Sequence, residues 1–170
     1  QVVDATPDFG TQCVRENIRE LDAVSVTHAH TDHIMGMDDC RRFCDIQKRP
    51  LPVYATELTM GHLRRVHAHA FHDGNHPRGY FVPEEHVIKG SFEIGDLKVT
   101  PLALPHGSMG STGYLFQQGG EKKLAYLTDA KAVPKEVVQA VKGVEVAVLD
   151  ALRSEEHWTH MSTSEALSAA

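Results

Sequence analysis

The segment Thr27-His28-Ala29-His30-Thr31-Asp32-His33 constrains this chain more than any other. It sets three imidazoles and one carboxylate within seven residues. The apolar run Ala23-Val24-Ser25-Val26 leads into it and reads as a strand through Thr27. A helix is expected to begin near Ile34. The polar residues then sit on a tight turn between two rigid elements. His28 and His30, two apart, project alike from an extended chain. Asp32 and His33 follow the bend and face a second point. That arrangement suits two metal ions about 3.5–4 Å apart, as in two-metal hydrolases. Histidine with carboxylate is also a donor set of zinc sites. The competing readings are a decorative surface turn or a purely structural zinc.

A chain of 170 residues is expected to form a single domain, 1–170, with its own core. Its net charge of −6 argues against a nucleic-acid-binding surface. Cys40 and Cys44 lie four apart on an expected helix, with Cys13 as a third thiol. That suits neighbouring thiols rather than a framework of bridges, and points to a reducing, cytoplasmic setting. No apolar run approaches the ~20 residues of a membrane span. The chain begins inside a strand and without Met, so it is expected to be truncated.

Coarse patterning places the elements. Gln1–Asp4 reads as the end of a strand, Arg15–Leu21 as a helix and Met35–Ile46 as another, with Met37, Cys40, Phe43 and Cys44 three or four apart. Val53–Ala55 reads as a short strand. Thr56 is expected to cap a helix running to about Val66. Residues 67–90, carrying His67, His69, His72, His76 and His86, read as an irregular insertion or lid. It is either a solvated loop or the place of a second metal site or substrate contact. Alternation around Gly95-Asp96 and around Gly119-Gly120 predicts two β-hairpins. Pro134 starts a helix reaching Val141. Val144–Leu149 reads as a buried strand, and Ser162-Thr163-Ser164-Glu165 as a capping box. Hairpins are expected first and strand–helix alternation later, in a layered α/β protein with mixed sheets.

His106 and Asp129 share one placement with His28: each ends an apolar strand. Residues delivered by several strand ends to one edge converge. If they do, His28, His30 and His106 hold one metal, Asp32 and His33 a second, and Asp129 bridges both.

The spacing His-x-His-x-Asp-His at a strand end, with His106 and Asp129 after it, resembles the metallo-β-lactamase superfamily. Asp4 matches the acidic residue that steadies the metal turn there. Within the superfamily, Asp4–Phe9, Gly36–Arg41, Leu149–Arg153, His157–Ser162 and Glu165–Leu167 look most like the phosphoribosyl cyclic phosphate phosphodiesterase group. The resemblance implies a metallo-β-lactamase-type αββα sandwich, truncated at both ends. The family's last histidine ligand would lie beyond Ala170, and its amino-terminal strands would precede Gln1. It implies metal ligands at His28, His30, Asp32, His33, His106 and Asp129, and a histidine near the substrate phosphate, not a ligand, at His160.

The expected activity is hydrolysis of a phosphodiester, a small cyclic ribose phosphate, by a metal-bound hydroxide. Two divalent ions serve it, zinc or manganese, with iron compatible. Asp32 and Asp129 would act as catalytic groups at the metals, and His160 would hold the phosphate or protonate the leaving oxygen. The alternatives are a tRNA 3′-end-type endonuclease of the same fold and a metal-binding accessory protein without turnover. The expected partner is a small-molecule phosphodiester; neither nucleic acid nor a membrane is expected, and a homodimer is left open.

Overall fold

The structure is a computed structural model describing all residues, Gln1–Ala170. They fall into two compact units, Gln1–Lys89 and Gly90–Ala170.

The first unit runs β1 (Val2–Val3), α1 (Phe9–Arg15), β2 (Val24–Ser25), α2 (Thr31–Ile34), a 3-10 turn at Met37–Cys40, α3 (Arg41–Gln47), β3 (Leu51–Ala55), α4 (Glu57–Val66) and β4 (Pro83–Val87). The strands form one parallel sheet in the order β1-β2-β3-β4. Parallel neighbours need crossovers, and helices occupy all three. Val24, Val26 and Val53 pack with Ile34, Met37, Phe43, Met60 and Leu63 into a buried apolar cluster. Cys13, Cys40 and Cys44 are free thiols within it. Burial raises the Cys40 thiol far above its ordinary pKa, so it serves as packing rather than as a nucleophile.

Four expectations change here. The first helix covers Phe9–Arg15 rather than Arg15–Leu21, because Phe9 and Cys13 are the pair it buries. The helix after the motif begins at Thr31, so Asp32 and His33 ride on its single turn. The helix expected over Met35–Ile46 splits into the 3-10 turn and α3. Residues Pro83–Val87, placed in the irregular stretch, form an edge strand paired with β3. Thr56 does cap α4, accepting from the Thr59 N–H.

The second unit runs β5 (Phe92–Ile94), β6 (Leu97–Leu104), β7 (Ser111–Gln118), β8 (Glu121–Leu127), α5 (Lys135–Val141), β9 (Val146–Leu149) and α6 (Thr163–Ala169). Its sheet order is β5-β6-β7-β8-β9, antiparallel except for the parallel β8–β9 pair. Leu102, Leu104, Leu115 and Leu127 pack with Val137 of α5 and Ala166 of α6. Both hairpins stand where alternation placed them, their turns carrying Gly95 at φ +61° and Gly119 and Gly120 at φ +58° and +84°. The capping box at Ser162–Glu165 is complete. Strand–helix alternation follows the hairpins, in α5-β9-α6, as expected, and it also precedes them throughout the first unit. β9, read as buried, leaves Val146 53% exposed, because it is an edge strand bonded on the β8 side alone. No helix is long and apolar enough to cross a membrane.

Candidate metal centre

In the first unit the metal motif hangs between β2 and α2. Asp4 leaves β1 with φ at 60°, a left-handed conformation that Asp tolerates better than most residues. The turn drives its carboxylate beneath the motif. Oδ1 accepts the Thr27 N–H at 2.7 Å, and Oδ2 accepts the Thr27 hydroxyl at 2.8 Å. The His33 Nδ1 donates to the same Oδ2 at 2.8 Å. Burial pushes the Asp4 carboxyl above its ordinary pKa, against the lowering contributed by His33 and Thr27. With Nδ1 donating to Asp4, the His33 lone pair lies on Nε2, which is 3.6 Å from Asp32 Oδ2. His28 is buried, with Nδ1 against the Thr27 hydroxyl at 3.0 Å. Its Nε2 comes within 2.9 Å of His30 Nδ1, so two imidazole nitrogens converge on one point.

A backbone clamp holds this turn. The Ala5 N–H donates to the His33 carbonyl at 2.8 Å, and the Gly36 N–H to the Ala5 carbonyl at 2.9 Å. A Cβ on Gly36 would stand 1.9 Å from the Thr6 carbonyl oxygen, so only glycine fits. His67 completes the frame. It is buried and donates Nε2–H to the Ile34 carbonyl at 3.0 Å, tying down the end of α2. Burial lowers its pKa, which favours the neutral ring. His69, His72, His76 and His86 have local partners: Asp38, the Gly74 N–H, the Ala70 carbonyl and Glu84. This is packing and turn chemistry, and no group of metal donors arises there.

In the second unit His106 follows β6 and Asp129 follows β8. The His106 Nδ1 donates to the Thr159 carbonyl at 2.9 Å, which fixes the tautomer and puts the lone pair on Nε2. Nε2 lies 3.7 Å from Asp129 Oδ2. Asp129 has φ 55°, the second site acid in a left-handed turn. The ring of His160 stands edge-on to that of His106, centroids 4.7 Å apart. Its Nε2 is 4.0 Å from Asp129 Oδ2.

Asp150 belongs to this group, although no site role was expected of it. Buried at the end of β9, it accepts His160 Nδ1–H at 2.7 Å and the Ala130 N–H at 2.8 Å. One carboxyl oxygen, Oδ2, thereby orients His160 and pins the turn that presents Asp129. The signal was available, since Asp150 ends an apolar strand as Asp129 does.

His28 and His30 in the first unit, and His106 and Asp129 in the second, are side chains of the types that ligate zinc. His33 and His106 share one feature: an acceptor, the Asp4 carboxylate or the Thr159 carbonyl, takes the Nδ1–H and leaves the lone pair on Nε2.

Residues 2–170 match the model of the beta-lactamase superfamily domain. The chain belongs to that family. Its fold is the metallo-β-lactamase fold. A solved diphosphatase of the PhnP family is 32% identical, with a TM-score of 0.86 over 99% of this chain and 62% of its own. An octanoyltransferase of Porphyromonas gingivalis is 33% identical over 169 residues, covering 98% of this chain and 33% of that protein. The exodeoxyribonuclease YycJ of Bacillus anthracis is 29% identical over 135 residues, 79% of this chain and 46% of the nuclease. This beta-lactamase superfamily chain thus spans a third to just under half the length of those two relatives.

Proposed function

We propose that this chain carries the metal centre of a hydrolase that cleaves a phosphodiester, with a cyclic ribose phosphate as substrate. The observation that carries the reading is the paired arrangement of donors: His28 with His30 in one unit, His106 with Asp129 in the other, each set oriented by buried partners. Likeness to a diphosphatase over the whole chain supports a phosphorus centre as the target.

On this reading His28, His30 and His106 would hold one divalent ion, Asp32 and His33 would hold a second, and Asp129 would serve both. When bound, such ions make a water molecule acidic near neutral pH and neutralise charge on the phosphoryl oxygens. Zinc and manganese suit the donor set, and iron is compatible. The chain's own residues do the rest. Asp4 keeps His33 in the ligating tautomer, and Asp32 and Asp129 accept hydrogen bonds from the attacking water. His160, its Nδ1 bound by Asp150, presents Nε2 to hold a phosphoryl oxygen or give its proton to the leaving oxygen. Such proton transfer contributes typically 10²–10⁴-fold.

A second reading, a nuclease, is favoured by the likeness to an exodeoxyribonuclease. The net charge of −6 speaks against a long polyanionic substrate. The experiment is turnover of a cyclic ribose phosphate, a phosphodiester dinucleotide, a diphosphate ester and a single-stranded DNA, with Mn²⁺, with Zn²⁺ and with chelator. Metal-dependent opening of the cyclic phosphate with little DNA cleavage is expected. Preferential DNA cleavage would replace the reading with the nuclease. No turnover of any of the four under metal would leave a metal-binding accessory protein.

A further inference from the structure

The helix that carries Asp32 and His33 cannot hold itself. α2 is one turn, Thr31–Ile34, and a lone turn fixes several backbone dihedrals for a single internal hydrogen bond. Its remaining carbonyls need donors from elsewhere. The Met35 N–H donates to the Thr31 carbonyl at 3.0 Å, and the Ala5 N–H donates to the His33 carbonyl at 2.8 Å. The Ile34 carbonyl is met by a side chain: the Nε2–H of His67, at 3.0 Å and 33 residues further along the chain. Both residues are buried, His67 at 5% and Ile34 at 1% exposure. Without that donor a carbonyl in the core would lose its partner.

His67 is held rigidly from behind. It ends α4, where its N–H donates to the Leu63 carbonyl at 2.8 Å. Its own carbonyl accepts from the N–H groups of Ala70 and Phe71, at 2.8 and 3.0 Å. From this point the chain enters the segment 67–82. Phe71 and Phe81 close the segment at its base, both buried, with ring centroids 6.1 Å apart. Between them, His72 to Tyr80 is exposed apart from the half-buried His76 and Gly79. A second tie runs from His69 Nε2 to Asp38 Oδ1 at 3.0 Å, on the 3-10 turn that follows Gly36. The segment is thus a strap with a packed base and an open tip. Its first residues are fastened to the turn that presents Asp32 and His33.

We propose that His67 is a positioning residue for the metal motif, and that through it metal binding and the order of the strap 67–82 are coupled. The proposal rests on the metal centre and not on the reaction performed there. Coupling of this kind is reciprocal: if the clamp on α2 favours the metal, the metal favours the clamp by the same factor. The buried contact should dominate. The His69–Asp38 pair is partly exposed, and pairs of that kind contribute little.

Hydrogen exchange of residues 67–82 in the chelator-stripped and the Zn²⁺-loaded protein reads the coupling without turnover. Zinc is expected to slow exchange at the base of the strap. His67→Leu should weaken zinc affinity roughly tenfold and abolish the zinc-dependent protection. His67→Gln, whose side-chain amide can donate to the same carbonyl, should restore most of both. His69→Ala should change either one little. A strap whose exchange ignores zinc, in a parent that binds it, would overturn the proposal and leave the metal centre standing. So would parental zinc affinity in a folded His67→Leu protein, or a His67→Gln protein no better than His67→Leu. If His67→Leu does not fold, the parent comparison and His67→Gln decide the matter. A parent that binds no zinc would remove this proposal and the metal assignment together.

Discussion

The Nδ1 of His33 donates to Oδ2 of Asp4 at 2.8 Å, across 29 residues of chain. The same carboxylate takes both the N–H and the hydroxyl of Thr27. One buried side chain just after β1 thus sets the entrance of the motif and the tautomer of its last histidine. Asp4→Asn can still accept from Thr27 but cannot supply the charge that polarises His33. We expect it to weaken metal affinity about 10–100-fold, read by titration of the chelator-stripped protein with Zn²⁺ or Mn²⁺. Unchanged affinity would mean that His33 needs no such partner.

Gly36 and Gly61 predict opposite responses to the same change. A Cβ at Gly36 would meet the Thr6 carbonyl oxygen at 1.9 Å, and backbone cannot swing away as a side chain can. Gly36→Ala should cost at least about 1–3 kcal/mol. At Gly61, inside α4, nothing lies within 4 Å of the added carbon. Gly61→Ala should gain up to about 1 kcal/mol from helix propensity. Urea denaturation of the two variants checks both signs.

Glu165 gives a pH signature. Its carboxylate accepts from Lys131 and from the Ser162 N–H, and these contacts lower its pKa to about 2. Its ordinary value is 4.5. A depressed acid stabilises the fold fully above the unfolded value, and that contribution disappears as pH falls from 4.5 towards about 2. Glu165→Gln should therefore narrow the stability gap with the parent progressively through that acid window. A constant gap at all pH values would mean that the carboxylate charge is not involved.

Asp150→Asn tests the second carboxylate–histidine pair. Metal content should stay level, because Asp150 is not among the metal donors. Turnover should fall about 10²–10⁴-fold, towards the value of His160→Ala, if orienting His160 is its main task. Loss of metal with turnover would instead place its effect on the Asp129 turn, through the Ala130 N–H.

Much of this was legible in the chain, and the misses have physical reasons. The motif at residues 27–33 was conspicuous because metal ligation would restrict both residue type and spacing. The two hairpins were readable because Gly95, Gly119 and Gly120 interrupt clean alternation. β4 was not, because Pro83-Glu84-Glu85-His86-Val87 is an edge strand with polar residues facing outward. The apolar run of β9 misled in the opposite direction, since hydrophobicity alone does not tell an exposed edge from a buried strand. Asp150 was visible at a strand end, yet its role depends on His160 being folded back onto it. The left-handed turns at Asp4 and Asp129 leave no mark in sequence, because Asp also serves ordinary turns and caps.

The most direct test of a metal-dependent hydrolase is elemental analysis of the purified protein and of His30→Ala, with phosphodiester turnover measured on the same samples. His30 is solvent-exposed, so its removal should leave the fold intact by circular dichroism. Bound divalent metal is expected in the parent, and metal and turnover are expected to be lost together in the variant. Unchanged metal stoichiometry in a folded His30→Ala protein would contradict the assignment of His30 as a ligand.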